Sequence, residues 1–299
     1  MITVFGSINM DLIATTQRLP KPGETVAGNG FSTAAGGKGA NQALAARRAG
    51  RNVAMAGAVG HDGFSDEALA LLKDAGTDLQ SVKRADQPTG TAIILVGGDG
   101  ENMIAVVPGA NGTVTPEDAD QAVAALGKGD TLMLQLEIPV PSVEQALSAA
   151  RAKGVTTILN LAPLIADAAR LGRLADIVIA NETEFELLAG QENMSADDRE
   201  AALKRLNTET GQTLIVTLGG DGVVAIRDGM ISRAKGLKIE PVDTVGAGDT
   251  FCGYFAASLD EGLDFEPALR RAAVAGSLAC LKAGAQPSIP SWDDVANKL

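Results

Sequence analysis

Asp249 closes the run Asp243-Thr-Val-Gly-Ala-Gly-Asp249-Thr, which leads into an apolar, helix-like stretch from Thr250 to Leu259. A glycine-rich turn entering a helix leaves the amides of Gly246, Ala247 and Gly248 at its N-terminus, aimed at an anion. A carboxylate in the first turn of a helix is often no more than a cap. Three features point further: a second acid at Asp243, the Gly-Ala-Gly spacing, and the strand-like approach Leu237–Val242. A backbone anion hole beside a carboxylate suits phosphoryl transfer, with the amides holding developing charge while the acid receives an alcohol proton.

Other clusters fit such a site. Gly36-Gly37-Lys38-Gly39-Ala40-Asn41-Gln42 opens a helical pattern that ends at Gly50. Its glycines permit close approach by a ligand, and Lys38 and Asn41 supply donors. It is neither a Walker A sequence nor G-x-G-x-x-G after a strand, so a dinucleotide fold is not supported. Asn181-Glu-Thr-Glu184 follows an apolar run, and its i, i+3 spacing puts Asn181 and Glu184 on one helix face. They are hard oxygen ligands suited to Mg²⁺ or its water shell, and they equally fit a capping box. Thr217-Leu218-Gly219-Gly220-Asp221-Gly222 reads as a tight turn or as the floor of a nucleotide site. Asn9 and Asp11 at the end of the first strand, and Glu137 after another, could hydrogen-bond a polyhydroxy compound; each could also be a solvated loop residue.

Positioning these groups requires a layered scaffold. Short runs rich in Val, Ile and Leu (Ile2–Phe5, Val53–Gly57, Thr131–Gln135, Val155–Leu159, Ile177–Ala180, Leu214–Leu218 and Val223–Ile226) alternate with helical patterns such as Asp66–Ala75, Pro141–Lys153 and Ala196–Glu209. That alternation predicts an α/β fold, a mostly parallel sheet with helices on both faces. Ligands then bind beyond the carboxyl ends of the strands. Residues 11–33 and the hairpin pattern of 89–108 break the alternation, are antiparallel in character, and predict a small separate sheet, a lid.

Composition narrows the choice. The 299 residues are 45% hydrophobic and 21% charged, which excludes wholesale disorder. A formal charge of −12 gives no global field for a polyanion, so neither nucleic acid nor an anionic membrane is an expected partner. Aromatic residues at 3% are too few for a base-stacking platform. Cys252 and Cys280 lie in apolar stretches and read as small buried hydrophobes. With one histidine, His61, zinc hydrolases and most serine hydrolases fall away. No targeting segment and no run of ~20 apolar residues is present, so a soluble, cytoplasmic protein is expected.

In this order, Gly6-Ser-Ile-Asn-Met-Asp11, Pro22-Gly-Glu-Thr25, Gly36–Gln42, Gly109-Ala-Asn111, Gln135-Leu-Glu137, Asn181–Glu184, Thr217–Gly219, Asp243–Asp249 and Gly284-Ala-Gln-Pro-Ser288 resemble the ribokinase-like (PfkB) carbohydrate kinase family over nearly the whole chain. The resemblance implies one doubly wound α/β kinase domain over 1–299, with lid segments of about 12–33 and 89–108 that often also form a dimer contact. It implies transfer of phosphate from ATP to the 5-hydroxyl of D-ribose, with Asp249 as base beside Gly246, Ala247 and Gly248. Asn9, Asp11, Gly37, Lys38, Gly39, Ala40, Asn41 and Glu137 would hold the sugar. Asn181, Thr217 to Gly222, Gly248, Asp249 and Ala273 would lie along the nucleotide. Relatives often carry Asn or His at the Ala273 position, so a side-chain bond to adenine is lost there. Glu184 would organise Mg²⁺ through water. Asp243, Val245, Ala279, Lys282, Gly284 and Ser288 match positions that bind an activating monovalent cation, K⁺; a plain salt bridge from Asp243 to Lys282 is the alternative. Other expectations left open are a kinase for 2-deoxyribose, a ketohexose or a nucleoside, and a non-catalytic sugar or nucleotide sensor.

Overall fold

A computed structural model describes all 299 residues. In chain order the strands are β1 (Ile2–Phe5), β2 (Asn9–Thr16), β3 (Gly28–Gly36), β4 (Val53–Gly60), β5 (Asp78–Ala85), β6 (Gly90–Val96), β7 (Asn102–Val107), β8 (Thr131–Leu134), β9 (Thr156–Asn160), β10 (Ile177–Asn181), β11 (Thr213–Thr217), β12 (Val223–Arg227) and β13 (Met230–Ala234). The helices are α1 (Lys38–Arg48), α2 (Phe64–Asp74), α3 (Pro116–Ala124), α4 (Val140–Lys153), α5 (Ala168–Gly172), α6 (Glu182–Ala189), α7 (Ala196–Thr210), α8 (Ala247–Asp260), α9 (Phe265–Ala279), α10 (Ala285–Ser288) and α11 (Trp292–Ala296).

Nine strands form one sheet in the order β13-β12-β11-β10-β9-β8-β1-β4-β5. It is parallel from β11 to β5, and only the β11–β12 and β12–β13 pairs are antiparallel. Two apolar clusters of 37 and 35 buried residues lie on its faces, so neither face is left to solvent. The alternation within β8 shows the division: Met133 joins the cluster shared with α1, α8 and α9, whereas Leu132 and Leu134 join the other. From β1 the chain progresses one way, to β4 and β5; from β8 it progresses the other way, to β9, β10 and β11. The β1/β8 boundary is therefore a topological switch point, where the crevice beyond the carboxyl ends is widest.

The remaining four strands form a second sheet, ordered β3-β2-β6-β7. Its outer pairs are antiparallel, as the two irregular segments predict, while the inner β2–β6 pair is parallel. Two expectations need correction. Asn9 and Asp11 do not end the first strand: β1 stops at Phe5, and both residues open β2 of the small sheet. Leu237–Val242 is not a strand either. After edge strand β13 no further strand is available to pair with it. The Leu237 amide instead donates to Ser277 Oγ on α9, and the Val242 amide donates to the Cys280 carbonyl.

No helix of the chain is long and apolar enough to cross a membrane.

Candidate active site

Gly246 is the N-cap of α8 with φ 76°, a left-handed conformation that favours glycine. No side chain caps this helix, and the Gly248 and Asp249 amides donate no main-chain hydrogen bond. The Ala247 amide, expected to face an anion, donates to the Thr244 carbonyl at 3.3 Å instead, so the unspent donors of the helix start are those of Gly248 and Asp249. Asp249 sits in this first turn and is only 6% exposed. Its two carboxylate oxygens accept from α1: Oδ2 from Asn41 Nδ2 at 2.9 Å, and Oδ1 from Gln42 Nε2 at 3.0 Å.

Across the switch point, the polar ends of β1, β2 and β8 converge. Asn9 Oδ1 accepts from Asn111 Nδ2 at 2.7 Å, and Asn111 is itself anchored to both main-chain groups of Ile8. Glu137, three residues beyond β8, accepts from Ser7 Oγ at 2.5 Å and from the Lys38 amide at 3.0 Å. The Gly39 and Ala40 amides donate to Ser7 Oγ and to the Ser7 carbonyl. They therefore build the turn that enters α1; Ser7 has taken the donors that the sequence reading assigned to a ligand.

Charge explains how these groups behave together. Asp249, ahead of burial, holds the Lys38 ammonium above its usual range, and Glu137 and Glu184 reinforce it. Burial pushes the Asp11 carboxyl up to about 6, with Glu137 and Asp249 adding repulsion and Lys38 opposing. Burial also pushes Glu184 up, against the Asn181 amide and Lys38. Four carboxyl groups thus surround one ammonium. Such a pocket accepts hydrogen bonds from hydroxyls readily, whereas a polyphosphate entering it needs its charge met by a cation and by the α8 amides.

The opposite wall is built differently. Asn181 and Glu184 form a capping box at the start of α6: Asn181 Oδ1 accepts from the Glu184 amide and Glu184 Oε2 from the Asn181 amide, both at 2.8 Å. The bland reading of that motif is therefore correct, and Glu184 keeps a second oxygen beyond the cap. Thr217 to Gly222 is a tight connection with one 3-10 turn, Gly219–Asp221, joining antiparallel strands. Gly219, Gly220 and Asp221 are exposed. Ala273 is buried in α9, and its carbonyl accepts from Ser277 Oγ.

Asp243 forms no ion pair with Lys282, so the salt-bridge alternative falls. Its carboxylate instead accepts from the Val245 amide at 3.0 Å and the Gly284 amide at 2.8 Å, tying the anion-hole turn to α10. The Asp243 carboxylate is thus held by main-chain amides on both oxygens rather than by a cationic side chain. No group of three or more His, Cys, Asp or Glu side chains stands ready for a metal. Cys252 is buried directly behind the site, and Cys280 is half-buried at the end of α9.

The sequence reading assigned no role to Ser7, Asn111, Gln135 or Asn160, and none to Gln42 individually. One signal was available: Gln135 and Asn160 each extend an apolar strand run with an amide, where an apolar residue would normally continue.

Comparison with known proteins agrees with this geometry. The model of the pfkB family of carbohydrate kinases matches residues 1–292. A ribokinase from Haemophilus influenzae is 37% identical, over 100% of this chain and 98% of its own. A deoxyribokinase from Salmonella typhi is 34% identical over 97% of this chain and 95% of its own. The structure of an Arabidopsis thaliana ribokinase complexed with ribose and ATP superimposes with a TM-score of 0.89 at 34% identity, covering 99% of this chain and 97% of that one.

Proposed function

The chain belongs to the pfkB family of carbohydrate kinases, and we propose that it transfers the γ-phosphoryl group of ATP to the 5-hydroxyl of D-ribose, giving ribose 5-phosphate and ADP. The observation that carries this reading is the Asp249 carboxylate, locked by two amides at the uncapped start of α8. The 5-hydroxyl oxygen attacks the γ-phosphorus, the bond to the β–γ bridging oxygen breaks, and Asp249 takes the hydroxyl proton. The Gly246, Ala247 and Gly248 turn stabilises the charge spreading over the transferring group.

Asn9, Asp11, Lys38, Asn41 and Glu137 hold the sugar hydroxyls, with Gly37 letting the chain pass close by. Asn181, Thr217 to Gly222, Gly248 and the α9 surface at Ala273 line the nucleotide. Glu184 is the residue that would hold Mg²⁺, through water, and the ion would supply neutralisation of phosphate charge. Asp243 ties Val245 to Gly284 beside the anion-hole turn, and it is the residue that would hold K⁺ there, an ion that would reinforce that turn without touching substrate. Two chains pair through the small sheet, which acts as the lid; Phe31, Ile93, Met103, Ile104, Val106 and Val107 lie exposed on it. The work is done in the cytoplasm, where ATP is supplied.

The test is ADP release with D-ribose, 2-deoxyribose and fructose, at constant ionic strength with K⁺ or tetramethylammonium. Ribose-dependent ADP formation that drops sharply without K⁺ supports the reading. A preference for 2-deoxyribose reassigns the substrate, as the deoxyribokinase relative allows. No sugar-dependent turnover ends it, and unchanged kcat across cations ends the K⁺ part.

A further inference from the structure

Below the catalytic carboxylate runs a string of side-chain amides to which the proposed chemistry gives no task. Gln135, Gln42 and Asn160 are 0%, 1% and 9% exposed. Gln135 Nε2 donates to Gln42 Oε1 at 2.6 Å. Gln42 Nε2 then donates twice, to Asp249 Oδ1 at 3.0 Å and to Asn160 Oδ1 at 3.2 Å. Asn160 Nδ2 donates to the Ile179 carbonyl at 3.1 Å.

The direction of this string is set by the two acceptors it reaches, Asp249 and the Ile179 carbonyl, while Gln135 Oε1 at its other end has no partner. The Ile179 carbonyl can only accept, so Asn160 turns its NH₂ toward it and its oxygen toward Gln42. A carboxylate at Asp249 also only accepts, so Gln42 must present its NH₂ there as well. Both N–H bonds of Gln42 are used, and its oxygen is filled by Gln135. Flipping this amide would set oxygen against two oxygens and NH₂ against NH₂. Gln135 reaches its place because residue 6 is glycine. A Cβ there would stand 2.0 Å from Gln135 Oε1 and 3.0 Å from Gly39 Cα. Buried amides are costly unless paired, and an apolar β8 end would hold α1 to the sheet without them.

We propose that Gln42 is a positioning residue for Asp249, and that Gln135 and Asn160 fix the orientation in which it acts. This rests on reading Asp249 as the base. With Asn41 on one oxygen and Gln42 on the other, the carboxylate cannot rotate, and its free lone pair stays aimed at the substrate hydroxyl. Misplacement of a reacting group by about 1 Å can cost on the order of 10² in rate.

The experiment compares wild type with Gln42→Met, Gln42→Glu and Gln135→Met, using steady-state kinetics over pH with thermal melts of each. Wild-type turnover reports on the underlying reading of the site, and the variants report on this proposal. Gln42→Met is expected to lose roughly 10- to 100-fold in kcat while KM for sugar and ATP stays within about threefold. Gln135→Met should show the same split with a smaller loss. Gln42→Glu keeps the shape but sets a carboxylate against Asp249, so the acid limb of its kcat–pH profile should move to higher pH. Should Gln42→Met fail to fold, the other two variants decide. A folded Gln42→Met with kcat within twofold of wild type overturns the proposal. So does an unshifted profile in Gln42→Glu, or a parallel change of kcat and KM in Gln135→Met.

Discussion

The two walls of the crevice are made of different material. On the side proposed for the sugar, Asn9, Asp11, Asn41 and Asp249 are all buried, and side chains fix three of them at 2.7 to 3.0 Å. On the side proposed for the nucleotide, Asn181, Gly219, Gly220, Asp221 and Gly248 are exposed, and most of what they offer is backbone. One wall recognises by side-chain chemistry held in advance; the other presents amides and open surface. Selectivity should therefore reside in the first, and tolerance to substitution in the second.

The sharpest contrast is expected at Asp249. Asp249→Asn should lower kcat by roughly 10² to 10⁴, typical of losing a general base, while sugar binding measured by calorimetry stays nearly intact. Near wild-type turnover would remove Asp249 from its role. Next in size, 2-deoxyribose should be disfavoured by about 1–3 kcal/mol, roughly 5- to 150-fold in kcat/KM, because Asn9 or Asp11 is left buried without its partner. Equal kcat/KM for the two sugars would show that neither residue reads the 2-hydroxyl.

Asp11 acts on stability with the opposite sign. Its carboxyl, pushed up to about 6 by burial, holds a proton more tightly folded than unfolded. Its contribution is therefore greatest below about pH 4 and is lost as pH rises through about 6, a cost of roughly 3 kcal/mol thereafter. Asp11→Asn should raise Tm by a few degrees at pH 7.5, leave it unchanged at pH 4, and weaken sugar binding. A Tm that rises equally at both pH values would dissociate the gain from this charge. Smallest of all, Asp221→Ala on the exposed wall should change the KM for ATP by less than about twofold. A larger change would mean that this wall recognises through its side chains too.

The same contrast decides how much the sequence could reveal. The parallel scaffold was legible because strands covered on both faces carry near-continuous apolar runs, as in Ile177–Ala180 and Leu214–Val216. The wall proposed for the sugar was legible as residue types: Asp11 and Glu137 interrupt or follow such runs, and Lys38 stands in a glycine-rich turn at a helix start. Strand limits were not. Asn9 and Asp11 were assigned to β1, because the three residues from Gly6 to Ile8 are too few to announce a change of sheet. Leu237–Val242 has strand composition but lies beyond edge strand β13, where nothing pairs with it. The buried amides escaped because glutamine at the end of a strand signals nothing until its neighbours are known. Gln42 and Gln135 stand 93 residues apart and meet only in the folded chain.

Cys252 offers a use unrelated to catalysis. Its thiol lies on α8 directly behind Asp249, 1% exposed, and burial pushes its pKa well above the ordinary thiol value. A thiol-specific dye can then reach it only when α8 parts from its neighbours, so the labelling rate becomes a clock for that opening. Cys280, half-buried at the end of α9, reacts on its own schedule and supplies an internal reference in the same molecule. A chain with two cysteines so differently placed carries its own gauge of local breathing, readable without adding any label site.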